Sequence, residues 1–596
     1  MCGIVALHAP RGEVSSSALQ AGVGALRHRG PDGAGAWVSA DRRIGLGHTR
    51  LSVIDLATGQ QPLATDDGAL RLAVNGEFYG HEIIREELRG RGHLFRTSTD
   101  AEIALHLYRE RGADGLRRLR GEFAFALWDD RNKCLLAARD RFGVKPLFYA
   151  IHGGVLALAS EVKALLAAGV PAAWDREQAY QLITLGVPLP DRSLFQDVRQ
   201  VPPGHYLRAT DRGIRLVRYW DLDYPAACRR RPRTDDDERA FIGRFGAALD
   251  EAVRLRLRAD VPVACYLSGG LDSSAVLGLA ARHVGRPLPA FTVAFDREDH
   301  GDARAAEAMA RRAGAAWTPV RVGQRELAQN FEDAVWHGET AFRNAHGVAK
   351  FVLSDRVRRA GYKVVLTGEG ADEVLAGYAM FRGRPVRSMP WWMRQLAAHA
   401  RRHRGLLEPG FAQEFARHDP HAALLARLDG PGQLEGRSPL IQAMYLWTRS
   451  VLPNYVLTVG GDRMEMAHAV EGRLPFLDHH LVELLRDTPA ALHGRAPGKY
   501  ILREAARPVL TDAVYRGRKR AFQAPPASLE TTGPLYRRLE AILRGEALAS
   551  LPFYDERRVR RLLAGVPCLD PARRAALDPL LMEIASLCVM HERFGL

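Results

Sequence analysis

At 596 residues the chain exceeds what one hydrophobic core usually supports, so two large domains or three smaller ones are expected. An apolar fraction of 47% and a charged fraction of 26% are those of a globular protein, and no apolar run is long enough to cross a bilayer, so a soluble protein with no membrane partner is expected. The net charge of +15 admits nucleic acid, but the arginines are spread along the chain and the densest run, 229–233, lies in linker-like sequence, so nucleic-acid binding is not expected.

The chain starts MCGIVALHAPRG. No basic leader precedes the apolar stretch, and Pro10 and Gly12 close it early, which points to the cytoplasm. Cys2 follows the initiator Met and is small enough for Met removal, which leaves it a free α-amine. With a pKa of about 8, that amine can take the thiol proton directly or through water, so one residue supplies nucleophile and base. Cys134, Cys228, Cys265, Cys568 and Cys588 show no paired spacing, so neither a cysteine zinc site nor a disulfide framework is suggested.

Up to about residue 215 the patterns predict short strands at 3–8, 72–75, 122–128, 134–139 and 155–159, with helices at 81–91 and 101–111. That order suggests sheets covered by helices. The segment 221–238, DLDYPAACRRRPRTDDDE, mixes prolines with a basic and an acidic run and reads as a linker between domains at 1–220 and 239–596. Beyond it, a strand at 261–267, a Gly-rich turn and a helix at 274–284 are followed by strand 290–295, helix 303–313, helix 348–360 and strand 363–367. Such alternation predicts a parallel sheet with ligands beyond the carboxyl ends of its strands. The remainder reads as mostly helical.

In ACYLSGGLDSSAVLGLA, Ser268, Gly269 and Gly270 lie between a strand and a helix, where freed backbone N–H groups and the helix start make a pyrophosphate site. No GxxxxGK[ST] occurs, so ATP cleavage between the α- and β-phosphates is expected. VVLTGEGADEVLAGY ends another strand and should face that loop, which lets Asp272 and Asp372 share Mg²⁺ as hard oxygen ligands.

The strings MCGI, RHRGPDG, GHTRLSVID, GQQP, NGEFY, STDAE, LRGEFAFALWD, RDRFGVKPLFY and SEVKALL follow in one order through residue 210. Together they resemble the class II, N-terminal-nucleophile glutaminase domain of asparagine synthetases. SGGLDSS resembles the signature loop of the N-type ATP pyrophosphatases, and GDRMEMAHAVEGRLPFLD and RKRAFQAP extend the likeness to the glutamine-hydrolysing asparagine synthetase family to about residue 530. The resemblance implies an α/β chain of two domains: an αββα sandwich of the Ntn hydrolase type, then a parallel-sheet α/β domain with many helices.

Carried over by position, the resemblance makes Cys2 the nucleophile, puts Arg50 on the glutamine carboxylate, gives the oxyanion to the Asn75 side chain and the Gly76 N–H, and gives the glutamine amine to Glu77 and Asp100. It assigns adenine to backbone groups of Leu267, Val293, Thr367 and Gly368, and the phosphates to Ser268, Gly269, Gly270 and Ser273. Asp272 and Asp372 match the magnesium aspartates, Glu369 the glutamate beside the reacting carboxyl, and Lys499 the lysine that neutralises phosphate charge. The implied reaction converts aspartate, ATP and glutamine to asparagine, AMP, pyrophosphate and glutamate through an acyl-adenylate, with ammonia passing internally between the sites. Similar enzymes often form homodimers. Four departures are mild: Thr367, Ala371, Ala376 and Ala521 replace serine, serine, glycine and glycine. The run after Glu339, in HGETAFRNAHGVAKF, is unlike synthetases acting on free aspartate. If it lines the acceptor pocket, the substrate is another carboxylate: a peptide terminus, a sugar acid or a natural-product intermediate.

Overall fold

The computed structural model describes residues 2–226, 234–296, 301–382, 399–488, 490–493, 495, 498–518 and 522–596. The middle of the expected linker, Cys228 and Ala521 lie outside the described residues.

Twelve strands build the first 220 residues: β1 (Cys2–His8), β2 (Gly33–Val38), β3 (Ile44–Arg50), β4 (Leu63–Ala64), β5 (Leu70–Phe78), β6 (Gly121–Asp129), β7 (Cys134–Arg139), β8 (Phe148–His152), β9 (Val155–Ala159), β10 (Arg199–Gln200), β11 (His205–Thr210) and β12 (Gly213–Arg218). They form two six-stranded antiparallel sheets, in the orders β10-β8-β9-β1-β3-β2 and β12-β11-β7-β6-β5-β4. Side chains alternate between the faces of a strand, and the sequence obeys that period. Along β1, Ile4 and Ala6 point between the sheets with Ala124, Ala126 and Trp128 of β6, while Val5 and Leu7 face the helix Ser16–Ala25 outside. On the other sheet, Phe123, Phe125 and Leu127 face out to helices His81–Gly90 and Glu102–Arg111. The layers are therefore helix, sheet, sheet, helix.

After the gap, Thr234 opens the helix Asp235–Arg256 with a capping box, its hydroxyl accepting the Asp237 N–H and Asp237 capping back. The acidic run read as linker is in fact the first turn of this helix, where carboxylates complement the positive helix end. Five parallel strands follow: β13 (Val263–Tyr266), β14 (Pro289–Phe295), β15 (Ala316–Val322), β16 (Val364–Leu366) and β17 (Glu471–Arg473), in the order β15-β14-β13-β16-β17. The order reverses beside β13, so the loops after β13 and β16 meet at the switch point. Cys265 and Leu267 face one apolar cluster with helix Leu271–Ala280; Ala264 and Tyr266 face the other with helix His346–Arg359. Helix Leu271–Ala280 starts three residues before its predicted position, because the Gly-rich turn closes at Gly270, its N-cap.

Two candidate sites joined by a buried seam

In the first site, register puts Cys2 on β1 opposite Arg50 on β3. Gly3 allows the two to lie close to Leu26 and Thr49: a side chain at Gly3 would approach Leu26 Cβ and Thr49 Oγ1 to 2.7 Å. Cys2 is 7% exposed, and burial pushes its thiol up. Its backbone nitrogen donates to Asn75 Oδ1 at 3.1 Å. The same Asn75 is fully buried, and its Nδ2 is a donor without a hydrogen-bond partner. Gly76 follows at a point where a Cβ would lie 2.2 Å from the Glu122 carbonyl oxygen, so only glycine lets β5 pass. Arg50 is held by the carbonyls of Ile54, Asp55 and Leu56, and Asp55 accepts the Ser98 N–H, which ties this loop to the STDAE segment. Asp100 of that segment accepts the Phe78 N–H at 2.7 Å. Burial pushes both Glu77 and Asp100 up, and each feels further negative charge: Asp100 and Glu471 act on Glu77, and Glu471 acts on Asp100. Two buried carboxylates that repel one another form a receptor for an ammonium group. All six residues expected at the glutamine site lie in this one region, on β1, β3, β5 and the loop before helix Glu102–Arg111.

In the second site, the loop after β13 is fastened by Ser273. Its Oγ accepts the Ser268 N–H at 3.1 Å and lies 3.0 Å from Ser268 Oγ. Gly269 takes φ +76°, a left-handed turn that suits glycine. The loop after β16 packs directly on it: a Cβ on Gly368 would lie 2.8 Å from the Ser273 nitrogen. Lys499 Nζ sits between the two loops, 2.6 Å from Asp272 Oδ2 and 2.5 Å from Asp372 Oδ1. It is 4% exposed and holds φ +52°, a strained setting of the kind found at functional sites. Two carboxylates converging on one cation are a hard-oxygen donor set that suits Mg²⁺. Glu369 donates its N–H to Thr367 Oγ1 at 3.4 Å. The expected adenine groups are partly used by the fold: the Leu267 N–H donates to the Phe291 carbonyl, the Leu267 carbonyl accepts Thr292 Oγ1, and the Thr367 N–H donates to the Arg473 carbonyl. Val293 lies in β14, paired with Val320 of β15. Ala376, at φ +53°, explains why glycine is the usual residue there.

Some neighbours carried no expected role. Glu373 is buried, accepts the Tyr378 hydroxyl at 2.7 Å, and is pushed up to about 8 by burial and by Asp372. Arg473, wholly buried in β17, lies 3.5 Å from Glu77 through Nη2, while its carbonyl holds Thr367. One residue thus touches both sites. Glu471 beside it is pulled down to about 2: burial pushes it up, but neighbouring cations, Arg473 and Lys145 among them, outweigh burial. GDRMEMAHAVEGRLPFLD was the available signal, though nothing in it told which site its charges serve.

Between the sites runs a seam of buried charge. Arg29 donates to the Cys2 carbonyl at 3.0 Å and pairs with Glu161 at 2.7 Å and Asp462 at 2.9 Å. Glu339 accepts the Val162 and Lys163 N–H groups and pairs with Lys163 and Arg463, each at 2.9 Å. Glu339 is therefore spent on the seam. The residues after it reach the carboxyl edge of the sheet, because helix His346–Arg359 runs back before β16 and so starts at that edge. There Asn344 brackets Ala524, accepting its N–H at 3.1 Å and donating to its carbonyl at 3.3 Å, and the Arg343 guanidinium lies 4.1 Å from the Tyr455 ring.

Residues 244–586 match the family model described as asparagine synthase, and residues 1–220 match that of the glutamine amidotransferase domain. The "Amidase chyE" of Penicillium rubens is 35% identical, covering 93% of this chain and 93% of its own. The "Amidase chry2" of Gibberella zeae is 31% identical over 97% and 94%. "Asparagine synthetase [glutamine-hydrolyzing] 3" of Bacillus subtilis is 32% identical over 83% and 82%.

Proposed function

Since the chain belongs to the asparagine synthase family, an enzyme family of glutamine-dependent amidotransferases, we propose that residues 1–220 release ammonia from glutamine and that residues 239–596 use it to amidate a carboxylate activated by ATP. The observation that carries the first half is the fully buried Asn75, whose Nδ2 has no partner and whose Oδ1 holds the nitrogen of Cys2. With Met1 removed, that nitrogen becomes the α-amine. It takes the thiol proton that burial otherwise retains, the thiolate attacks the glutamine amide carbon, and the oxyanion is met by Asn75 Nδ2 and the Gly76 N–H. Arg50 holds the glutamine carboxylate, and Glu77 with Asp100 hold its ammonium.

In the second half, Ser268, Gly269, Gly270 and Ser273 cradle the phosphates, and backbone groups around Leu267, Val293, Thr367 and Gly368 take the adenine. Asp272 and Asp372 would hold Mg²⁺, which when bound neutralises phosphate charge. Lys499 stabilises negative charge on the departing pyrophosphate, and Glu369 accepts a proton from ammonia as it attacks the acyl-adenylate. Ammonia passes internally from the first site to the second in this reading, and the contact of Arg473 with both regions supports their adjacency.

We assign L-aspartate as the acceptor, giving L-asparagine. A second reading, the same chemistry on a peptide, sugar acid or natural-product carboxylate, is favoured by the Arg343–His346 stretch at the carboxyl edge of the sheet. Pyrophosphate release with Mg-ATP and glutamine, with and without aspartate, followed by mass spectrometry, separates the two. Aspartate-dependent release with asparagine formed supports the first; glutamine hydrolysis without aspartate-dependent pyrophosphate refutes it. A cytoplasmic location and a homodimer belong to the same reading, to be checked by fractionation and by light scattering.

A further inference from the structure

Two clusters of histidine and carboxylate lie outside the machinery above. In the first, His28 and His337 flank Glu161. That carboxylate already holds Arg29, Lys163 and Arg463 within 3.0 Å, and three fixed cations repel another.

The second cluster has no such cation in contact among the described residues. His399 and His403 stand four residues apart in the helical stretch 399–403, which puts both imidazoles on one face. Glu583 meets them from helix Pro571–Phe594, with Oε2 3.2 Å from His399 Nε2 and Oε1 3.5 Å from His403 Nε2. Their exposures are 8%, 1% and 0% for His399, His403 and Glu583. Despite the short distances, His399 Nε2, His403 Nε2 and both Glu583 oxygens have no hydrogen bond of good geometry among the described residues. A carboxylate buried in an apolar core without donors is costly unless a cation meets it. The positive field on Glu583 comes first from the two histidines, and Arg343, stacked on Tyr455, adds a more distant one.

Zinc bound to histidine and carboxylate has bonds of about 2.0–2.1 Å, and a tetrahedron of that size has edges of about 3.3 Å. Each histidine lies near that edge length from one of the two Glu583 oxygens, and the three donor atoms all lie within 4.8 Å of one another. Nδ1 of His403 is 2.9 Å from the Tyr554 hydroxyl, an outer contact that fixes the ring with Nε2 toward Glu583. We propose that His399, His403 and Glu583 supply three ligands to one zinc ion, its fourth position left to water, and that the ion fastens the 399–403 helix and the Tyr554 segment to the C-terminal helix.

The full chain, expressed in zinc-supplemented medium and passed through chelator-free gel filtration, should carry about one zinc per chain by plasma mass spectrometry. Cys2→Ala should keep the ion, with nitrogen and oxygen ligation only in X-ray absorption; His403→Ala and Glu583→Gln should lose it. Tyr554→Phe leaves all three ligands and should weaken zinc by about 10–100-fold against a chromophoric chelator. Should the ligand variants not fold, wild type decides: a chelator must lower its melting temperature and zinc chloride must restore it. Wild-type protein free of zinc after supplementation, or zinc that leaves with Cys2→Ala and ignores Tyr554→Phe, overturns the proposal.

Discussion

Replacing Asn75 by alanine isolates one donor. In the resting protein Nδ2 is buried and unpaired, so the amide carries a desolvation penalty of about 1–3 kcal/mol that only an arriving acceptor relieves. A developing oxyanion supplies that acceptor in the transition state, and loss of one such donor costs about 2.7–4 kcal/mol, or about 10²–10³-fold in kcat. Asn75→Ala should therefore slow glutamine hydrolysis by about that factor. Its stability should change little, because the lost bond from the Cys2 nitrogen at 3.1 Å is offset by removal of an unsatisfied donor. Asn75→Asp keeps the acceptor for that nitrogen but faces the oxyanion with a lone pair, so it should be slower still. The assay is glutamate release in parallel with ammonia-driven pyrophosphate release, with Cys2→Ala as the control that loses only the former. An Asn75→Ala enzyme that keeps a third or more of its glutaminase rate, or loses both activities together, refutes this reasoning.

Asp272→Asn should stop pyrophosphate release while sparing glutamine hydrolysis; unchanged release would remove Asp272 from the nucleotide site. Arg29→Met leaves Glu161 and Asp462 without their shared guanidinium and should cost about 3–5 kcal/mol in urea titration; a loss under 1 kcal/mol, near that of an exposed pair, would count against a buried seam. Glu373 is raised to about 8. Above the ordinary carboxylate value of about 4.3 the unfolded chain loses this proton first. Wild type should thus lose stability relative to Glu373→Gln as pH rises from about 4.3 to about 8, with a constant gap beyond. A gap that shrinks with rising pH would reverse the assigned shift.

The glutaminase strings were legible because each is local: Cys2 and Arg50 sit at strand ends and Asp100 in a loop, while Asn75, inside β5, is marked by the glycine that follows it. The loop at Ser268–Ser273 was legible for the same reason. β17 was not, since three residues show no periodicity, and the charges of Glu471 and Arg473 give no sign of their burial. Glu373 stands beside Asp372 in the first turn of the same short helix, with nothing in the pattern to set it apart. Its role depends on Tyr378 and on depth, neither of which a pattern records. His399 and Glu583 are separated by most of the C-terminal region, and cysteine spacing could not point to donors that are histidine and glutamate.

The seam also sets which halves can be combined. One side brings Arg29 and Lys163 against Glu161; the other brings Glu339 and Asp462 against Arg463. Each side alone is left with an unbalanced charge of opposite sign, and only their union is neutral. A glutaminase half grafted from a relative lacking this pattern should bury a net charge beneath the nucleophile, and such chimeras should fail to refold where seam-matched ones succeed. For this chain, compatibility between partners is written in buried ionised side chains as well as in the apolar clusters that the two halves share.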